Sequence, residues 1–144
     1  MISTISELRF LFLPNCWKNP VSEAGCGMPL PVETLKYIIW AADLPRAVAF
    51  YESVFGAEVL RHSEIMAEIR IAGGLIGIHS GGEGKRTWTG LSFQIPDLFA
   101  GCDALLAAGG TVLRTPEDTP EEPAHLAMCA DPEGNEIMLT KKRA

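Results

Sequence analysis

Cysteine and histidine pairs at the spacing of a structural metal site are missing from this chain. Its 144 residues hold four cysteines, Cys16, Cys26, Cys102 and Cys129, with no Cys-x-x-Cys pair, and only three histidines, His62, His79 and His125. The cysteines read as free thiols, which makes a reducing cytoplasm the expected compartment. No apolar run approaches the ~20 residues that span a bilayer. The N-terminal residues also lack a basic stretch followed by a long apolar run and a small-residue cleavage site, so a soluble, non-secreted protein is expected. Basic charge is scarce as well: 12 Lys and Arg stand against 18 Asp and Glu, for a net charge of −6. That balance excludes a phosphate-neutralising nucleic-acid surface, and the only basic cluster, Lys141-Lys142-Arg143, reads as a solvated tail. What the chain does have is 47% hydrophobic residues, enough for one sizeable core.

Residues 1–33 differ from the rest. Pro14, Asn15, Pro20, Gly25, Gly27, Pro29 and Pro31 interrupt every short apolar run, including the one from Leu8 to Leu13. The segment reads as an N-terminal extension of unknown role. Either Met28 marks the start of a shorter functional chain, or the Leu8–Leu13 run adds a strand to the domain edge or to a partner subunit.

From Thr34 the pattern is regular. Leu35–Trp40 reads as a strand, and Asp43-Leu44-Pro45 opens a helix whose apolar residues Leu44, Val48, Tyr51 and Phe55 recur at helical spacing. Asp43 suits the N-cap, Pro45 the first turn and Gly56 the left-handed C-terminal position. Three short strands follow, Glu58–His62, Met66–Ile71 and Leu75–His79, the last two joined by a turn at Gly73-Gly74. After Gly81-Gly82-Glu83-Gly84 the order repeats: strand Gly90–Ile95, cap Asp97, a helix with Leu98, Cys102, Leu105 and Leu106, then strands Thr111–Arg114, His125–Ala130 and Asn135–Thr140. An offset of 54 residues carries Asp43 onto Asp97, Leu44 onto Leu98, Gly56 onto Gly110 and Val59 onto Leu113. The chain is therefore read as an internal duplication over residues 34–141, with modules at about 34–80 and 88–141.

Side chains alternate across a strand, so helices packed on one side of a sheet require apolar residues at one parity. Leu35, Tyr37 and Ile39, Ile69 and Ile71, Ile76 and Ile78, Leu91, Phe93 and Ile95, and Ile137 and Leu139 supply it. The other parity carries Lys36, Ile38, Trp40, Met66, Glu68, Arg70, His79, Ser92, Gln94, Glu136, Met138 and Thr140. Two readings stand for this second face: a solvated open face, or the mixture of apolar walls and few polar anchors that lines a small-molecule pocket. Glu68 and Arg70, at alternate positions of one strand, read as a solvated pair.

Three segments carry a resemblance: Asp43-Leu44 with Phe50-Tyr51 and Phe55-Gly56, the second helix start Asp97-Leu98, and the closing turn Asp131-Pro132-Glu133-Gly134-Asn135. Together they resemble the vicinal-oxygen-chelate superfamily of glyoxalases, bleomycin resistance proteins and dioxygenases, over about residues 34 to 140. The resemblance implies an α+β fold of two βαβββ modules forming a curved mixed sheet around a pocket, and often a homodimer. In the superfamily's metalloenzymes one ligand comes from the first strand of each module and one from the last. Those positions fall here at Lys36, His79, Gly90 and Met138: an ammonium, an imidazole, no side chain and a thioether. Such a set does not make an ordinary divalent site, so no cofactor is expected, and a divalent metal held by His79 and Glu136 is the alternative.

The resulting expectation is a small-molecule-binding protein that either sequesters its ligand or catalyses an unassigned reaction. Its pocket would comprise Lys36, Ile38, Trp40, Glu68, Arg70, His79, Ser92, Gln94, Glu136 and Met138. Lys36 would attract an anionic or carbonyl group, and His79 and Glu136 are the candidates for any chemistry. A metal-dependent glyoxalase-like lyase or isomerase and a non-catalytic interaction module are the alternatives. No nucleic-acid or membrane partner is expected.

Overall fold

The computed structural model describes residues 29–143; residues 1–28, with the Leu8–Leu13 run, Cys16, Cys26 and Met28, lie outside the described residues. The chain divides into the units Met1–Pro31 and Val32–Ala144, and every helix and strand among the described residues lies in the second.

The elements are β1 (Lys36–Ala41), α1 (Leu44–Phe55), β2 (Glu58–His62), β3 (Met66–Ile71), β4 (Gly74–Ser80), β5 (Thr87–Gln94), α2 (Leu98–Ala107), β6 (Thr111–Arg114), β7 (Leu126–Ala130) and β8 (Asn135–Thr140). They form two four-stranded mixed sheets, ordered β1-β4-β3-β2 and β5-β8-β7-β6. β1 pairs with β4 and β5 with β8 in parallel, and the remaining pairs are antiparallel. This is the duplicated strand, helix, three-strand order that the sequence repeat requires.

Local chemistry explains the helix ends. The Asp43 carboxylate accepts the Arg46 N–H (3.0 Å), Pro45 occupies the first turn, and Gly56 closes α1 at φ 63°. Asp97 caps α2 by accepting from Phe99 and Ala100. Here the second module departs from the repeat: the left-handed residue after α2 is Gly109, at φ 90°, one position before the expected Gly110.

The parity reading holds in the core. Ile39, Ile69, Ile76, Ile78, Ile137 and Leu139 are buried, and Tyr37, Ile71, Leu91, Phe93 and Ile95 pack against them. Leu35 does not: it precedes β1 and is 88% exposed. The β3–β4 turn is Ala72-Gly73, both in left-handed conformation, rather than Gly73-Gly74. β5 begins at Thr87 instead of Gly90 because a bulge between Trp88 and Leu91 lets the strand run through Gly90, whose φ is 73°. Thr89 stitches the bulge, donating to the Glu136 carbonyl (2.5 Å) and accepting from the Leu91 N–H (3.0 Å).

A polar clamp joins the modules at one end. The turn after β7 reaches across to the β1–α1 junction of the first module. There Glu133 accepts from the N–H groups of Ala42 (2.8 Å) and Asp43 (3.0 Å) and from Arg46 Nε (2.7 Å). Asn135 Nδ2 donates to the Trp40 carbonyl (2.9 Å), and the buried Tyr51 hydroxyl donates to Asp131 (2.9 Å). Aromatic packing continues the junction, with Phe93 of β5 stacked on Phe55 of α1 at 4.0 Å between ring centroids.

Candidate functional site

Strand register arranges the open face of the first sheet in three rows. Lys36, Leu75 and Arg70 form one; Ile38, Gly77 and Glu68 the next; Trp40, His79 and Met66 the third. Within them Lys36 donates to Glu68, which is 9% exposed, so Glu68 pairs with Lys36 and not with Arg70. Arg70 instead reaches Glu58 on β2 at 3.0 Å. The His79 ring lies 5.2 Å from that of Trp40, tilted by 38°, which makes the imidazole part of an aromatic wall.

On the second sheet, Ser92 lies opposite Met138 and Gln94 opposite Thr140, while Glu136 is held by Arg86. His79 and Glu136 thus stand on different sheets, each with its own neighbour. Trp88, 61% exposed and opposite Glu136, also belongs to this surface; the sequence reading missed it because the bulge hides its strand position.

The register also refines the comparison of the modules. Ser92 is the repeat counterpart of Ile38, Ser92 faces Met138, and Ile38 faces Gly77. The counterpart of Met138 is therefore Gly77, with His79 two residues farther along β4. A Cβ built on Gly77 would meet Ile38 Cδ1 at 2.7 Å, so the Ile38 side chain occupies the space where a last-strand side chain would stand. By this register the four positions carry Lys36, Gly77, Gly90 and Met138. Among the described residues, no group of three or more His, Cys, Asp and Glu is placed to hold a metal ion. The donors present do not fit a divalent metal: one ammonium, two positions without side chains and one thioether.

The Lys36–Glu68 pair makes a testable demand. Lys36→Met leaves a largely buried carboxylate without its counter-ion and should lower stability by about 1–3 kcal/mol. The double variant Lys36→Met/Glu68→Leu should recover most of that loss in urea unfolding, since replacing both partners removes the orphaned charge.

Three of the expected pocket residues, Lys36, Ser92 and Gln94, also border a cleft of about 690 Å³ between the modules. Its other walls include Tyr37, Phe55 and Phe93. The sequence assigned Tyr37 and Phe93 to the core face of their strands and Phe55 to the apolar spacing of the first helix, and neither periodicity could show that they border an opening. Ile38, Trp40, Glu68, Arg70, His79, Glu136 and Met138 lie on the open faces away from it.

Comparisons with known proteins agree with this architecture. A probable lactoylglutathione lyase of Vibrio cholerae is 25% identical, the match covering 76% of this chain and 90% of the relative. A glyoxalase/bleomycin resistance protein/dioxygenase family enzyme of Burkholderia phytofirmans superposes with a TM-score of 0.61 at 21% identity, covering 74% of this chain and 95% of that one. A fosfomycin resistance protein of Listeria monocytogenes gives 0.64 at 20% identity, covering 81% and 94%. Residues 34–139 match the model of the Glyoxalase/Bleomycin resistance protein/Dioxygenase superfamily, and with the duplicated βαβββ fold this places the chain in that superfamily.

Proposed function

We propose that this protein binds a small, largely apolar molecule on the open faces of its sheets, without a divalent metal. The reading rests on the donor set: the superfamily resemblance and the strand register together assign Lys36, Gly77, Gly90 and Met138 to the ligand positions of its metalloenzymes. The surface around them suits an organic ligand. Trp40 and His79 offer an aromatic wall, Ile38, Met66 and Met138 add apolar area, and Lys36 supplies a cation for an anionic or carbonyl group.

The open faces leave the bulky apolar side chains Ile38, Trp40 and Trp88 46%, 55% and 61% exposed. A second copy of the chain closing over these faces fits that exposure and would complete the pocket. The buried thiols Cys102 and Cys129 fit a reducing compartment such as the cytoplasm. Among the described residues no helix is long and apolar enough to cross a membrane.

Metal uptake tests the reading directly. The purified protein, incubated in turn with zinc, nickel, manganese and iron and then dialysed, should retain far less than one ion per chain by elemental analysis. Stoichiometric retention of any of them would overturn it. That result would favour the second reading, a glyoxalase-like lyase, which the likeness to the probable lactoylglutathione lyase supports and for which His79 and Glu136 are the available ligands.

A further inference from the structure

The two ends of the module junction are not equivalent. At one end the turn Asp131–Gly134 between β7 and β8, together with Asn135, clamps the β1–α1 junction through Asp131, Glu133 and Asn135. The repeat places the β3–β4 turn at the other end, across from the end of β5. That turn is only Ala72-Gly73, followed by Gly74, and offers no polar side chain.

The receiving side has changed in step. The 54-residue offset carries Ala42 onto Pro96, which has no N–H; Arg46 onto Ala100, which has no guanidinium; and Tyr51 onto Leu105, which has no hydroxyl. Every side chain that makes the clamp, and most of what it binds, is absent from the counterpart. In its place lies the 690 Å³ cleft, with Ile71, Ala72 and Gly74 of the short turn on one wall and Gln94 and Ile95 on the other.

We infer that this cleft is a second binding site, sharing Lys36, Ser92 and Gln94 with the open faces but walled by different residues, for a small aromatic or alicyclic molecule bearing an acidic group. Its volume lies within the range of small-molecule pockets. Tyr37, Phe55 and Phe93 give it aromatic walls, and Lys36 is the one charged side chain among the described residues that line it. The Lys36 side chain is 43% exposed, so its ammonium keeps donors free for an anion while paired with Glu68. Ser92 and Gln94, both exposed on β5, add neutral hydrogen-bonding groups beside it.

The test is a titration of the whole chain, with labelled isoleucine methyl groups followed by NMR, using the aromatic sulfonate 8-anilinonaphthalene-1-sulfonate as probe. Saturable shifts are expected at Ile71, Ile76 and Ile95. Filling the cleft by Val54→Trp, or from the exposed strand by Gln94→Trp, should abolish them. Lys36→Met should weaken binding by about tenfold, the loss of one charge-assisted contact. Trp40→Ala, on the open face, should leave the cleft shifts unchanged. Shifts confined to Ile38 and lost in Trp40→Ala would put the probe on the open face and overturn the cleft site while leaving the proposed function standing. Cleft shifts that follow protein concentration and not the probe would assign the cleft to a second copy of the chain and also overturn it.

Discussion

Replacing Asp131 by alanine is expected to cost about 3–5 kcal/mol of folding stability, the cost of breaking a buried, charge-assisted network by removing one member. The Asp131 carboxylate accepts from the Tyr51 hydroxyl, the Glu133 and Asn135 N–H groups and Asn135 Nδ2, all at 2.9 Å. Tyr51 is fully buried, so truncation strands its hydroxyl with neither acceptor nor water. Burial, reinforced by the Asp131 charge, pushes the Tyr51 hydroxyl well above its ordinary range and keeps it a donor. Urea unfolding of Asp131→Ala beside Tyr51→Phe measures the effect; a loss below about 1 kcal/mol in both would show that the modules are held by apolar packing alone.

The same clamp sets opposing pH dependences. Burial raises the Asp131 carboxyl above its usual 3.8 despite its hydrogen bonds, so a proton-linked contribution to stability, additional to those bonds, is full below that value and is lost as pH rises through the higher folded-state pKa. For Glu133 burial also pulls upward, but Arg46 and the N–H groups of Asp43 and Ala42 outweigh it and hold the carboxyl below 4.5. Its contribution is therefore present above 4.5 and lost as pH falls through the lower folded-state value. Glu133→Gln should flatten the acid side of the stability profile, and an unchanged slope there would remove Glu133 from the linkage.

Gly134→Ala should be nearly as damaging, at about 2–5 kcal/mol, from the left-handed backbone and the overpacking together. Gly134 sits at φ 88°, and a Cβ there would lie 2.5 Å from the Lys85 carbonyl oxygen, 2.7 Å from its carbon and 3.0 Å from the Arg86 nitrogen. All three are backbone atoms of the connection between the modules, held in place by the bond from the Thr87 N–H to the Gly134 carbonyl (2.8 Å). Gly73 provides the control: its φ is 83° and a Cβ there would meet nothing within 4 Å, so Gly73→Ala should cost only the conformational term, about 1–2 kcal/mol. Thermal unfolding of the pair separates the effects, and equal losses would mean that the close approach at Gly134 carries no energy.

The architecture was open to reading because its signals are local. Asp43 and Asp97 cap helices with their own side chains, Gly56 takes a conformation that other residues resist, and alternation within each strand separates Ile39, Ile76 and Ile137 from Lys36, His79 and Glu136. The errors arose where one strand's position depends on another. The Thr89–Gly90 bulge moved the start of β5 and concealed Trp88, and the β1–β4 register showed that Gly77, rather than His79, is the counterpart of Met138. Glu68 and Arg70 looked like partners along one strand, but Lys36 of β1, reaching across β4, and Glu58 of the neighbouring β2 claim them instead.

Periodicity and the chemistry of single residues were enough for the duplication, the two βαβββ modules and, Leu35 apart, the core-facing side of β1, β3, β4, β5 and β8. How the modules meet is a matter of tertiary contacts. A short turn of alanine and glycine looks unremarkable in the chain, and so do Pro96, Ala100 and Leu105. Only when the two-fold repeat brings that turn opposite those residues does a missing clamp become a cleft, because a cavity is a relation between surfaces distant in sequence and no local pattern encodes it.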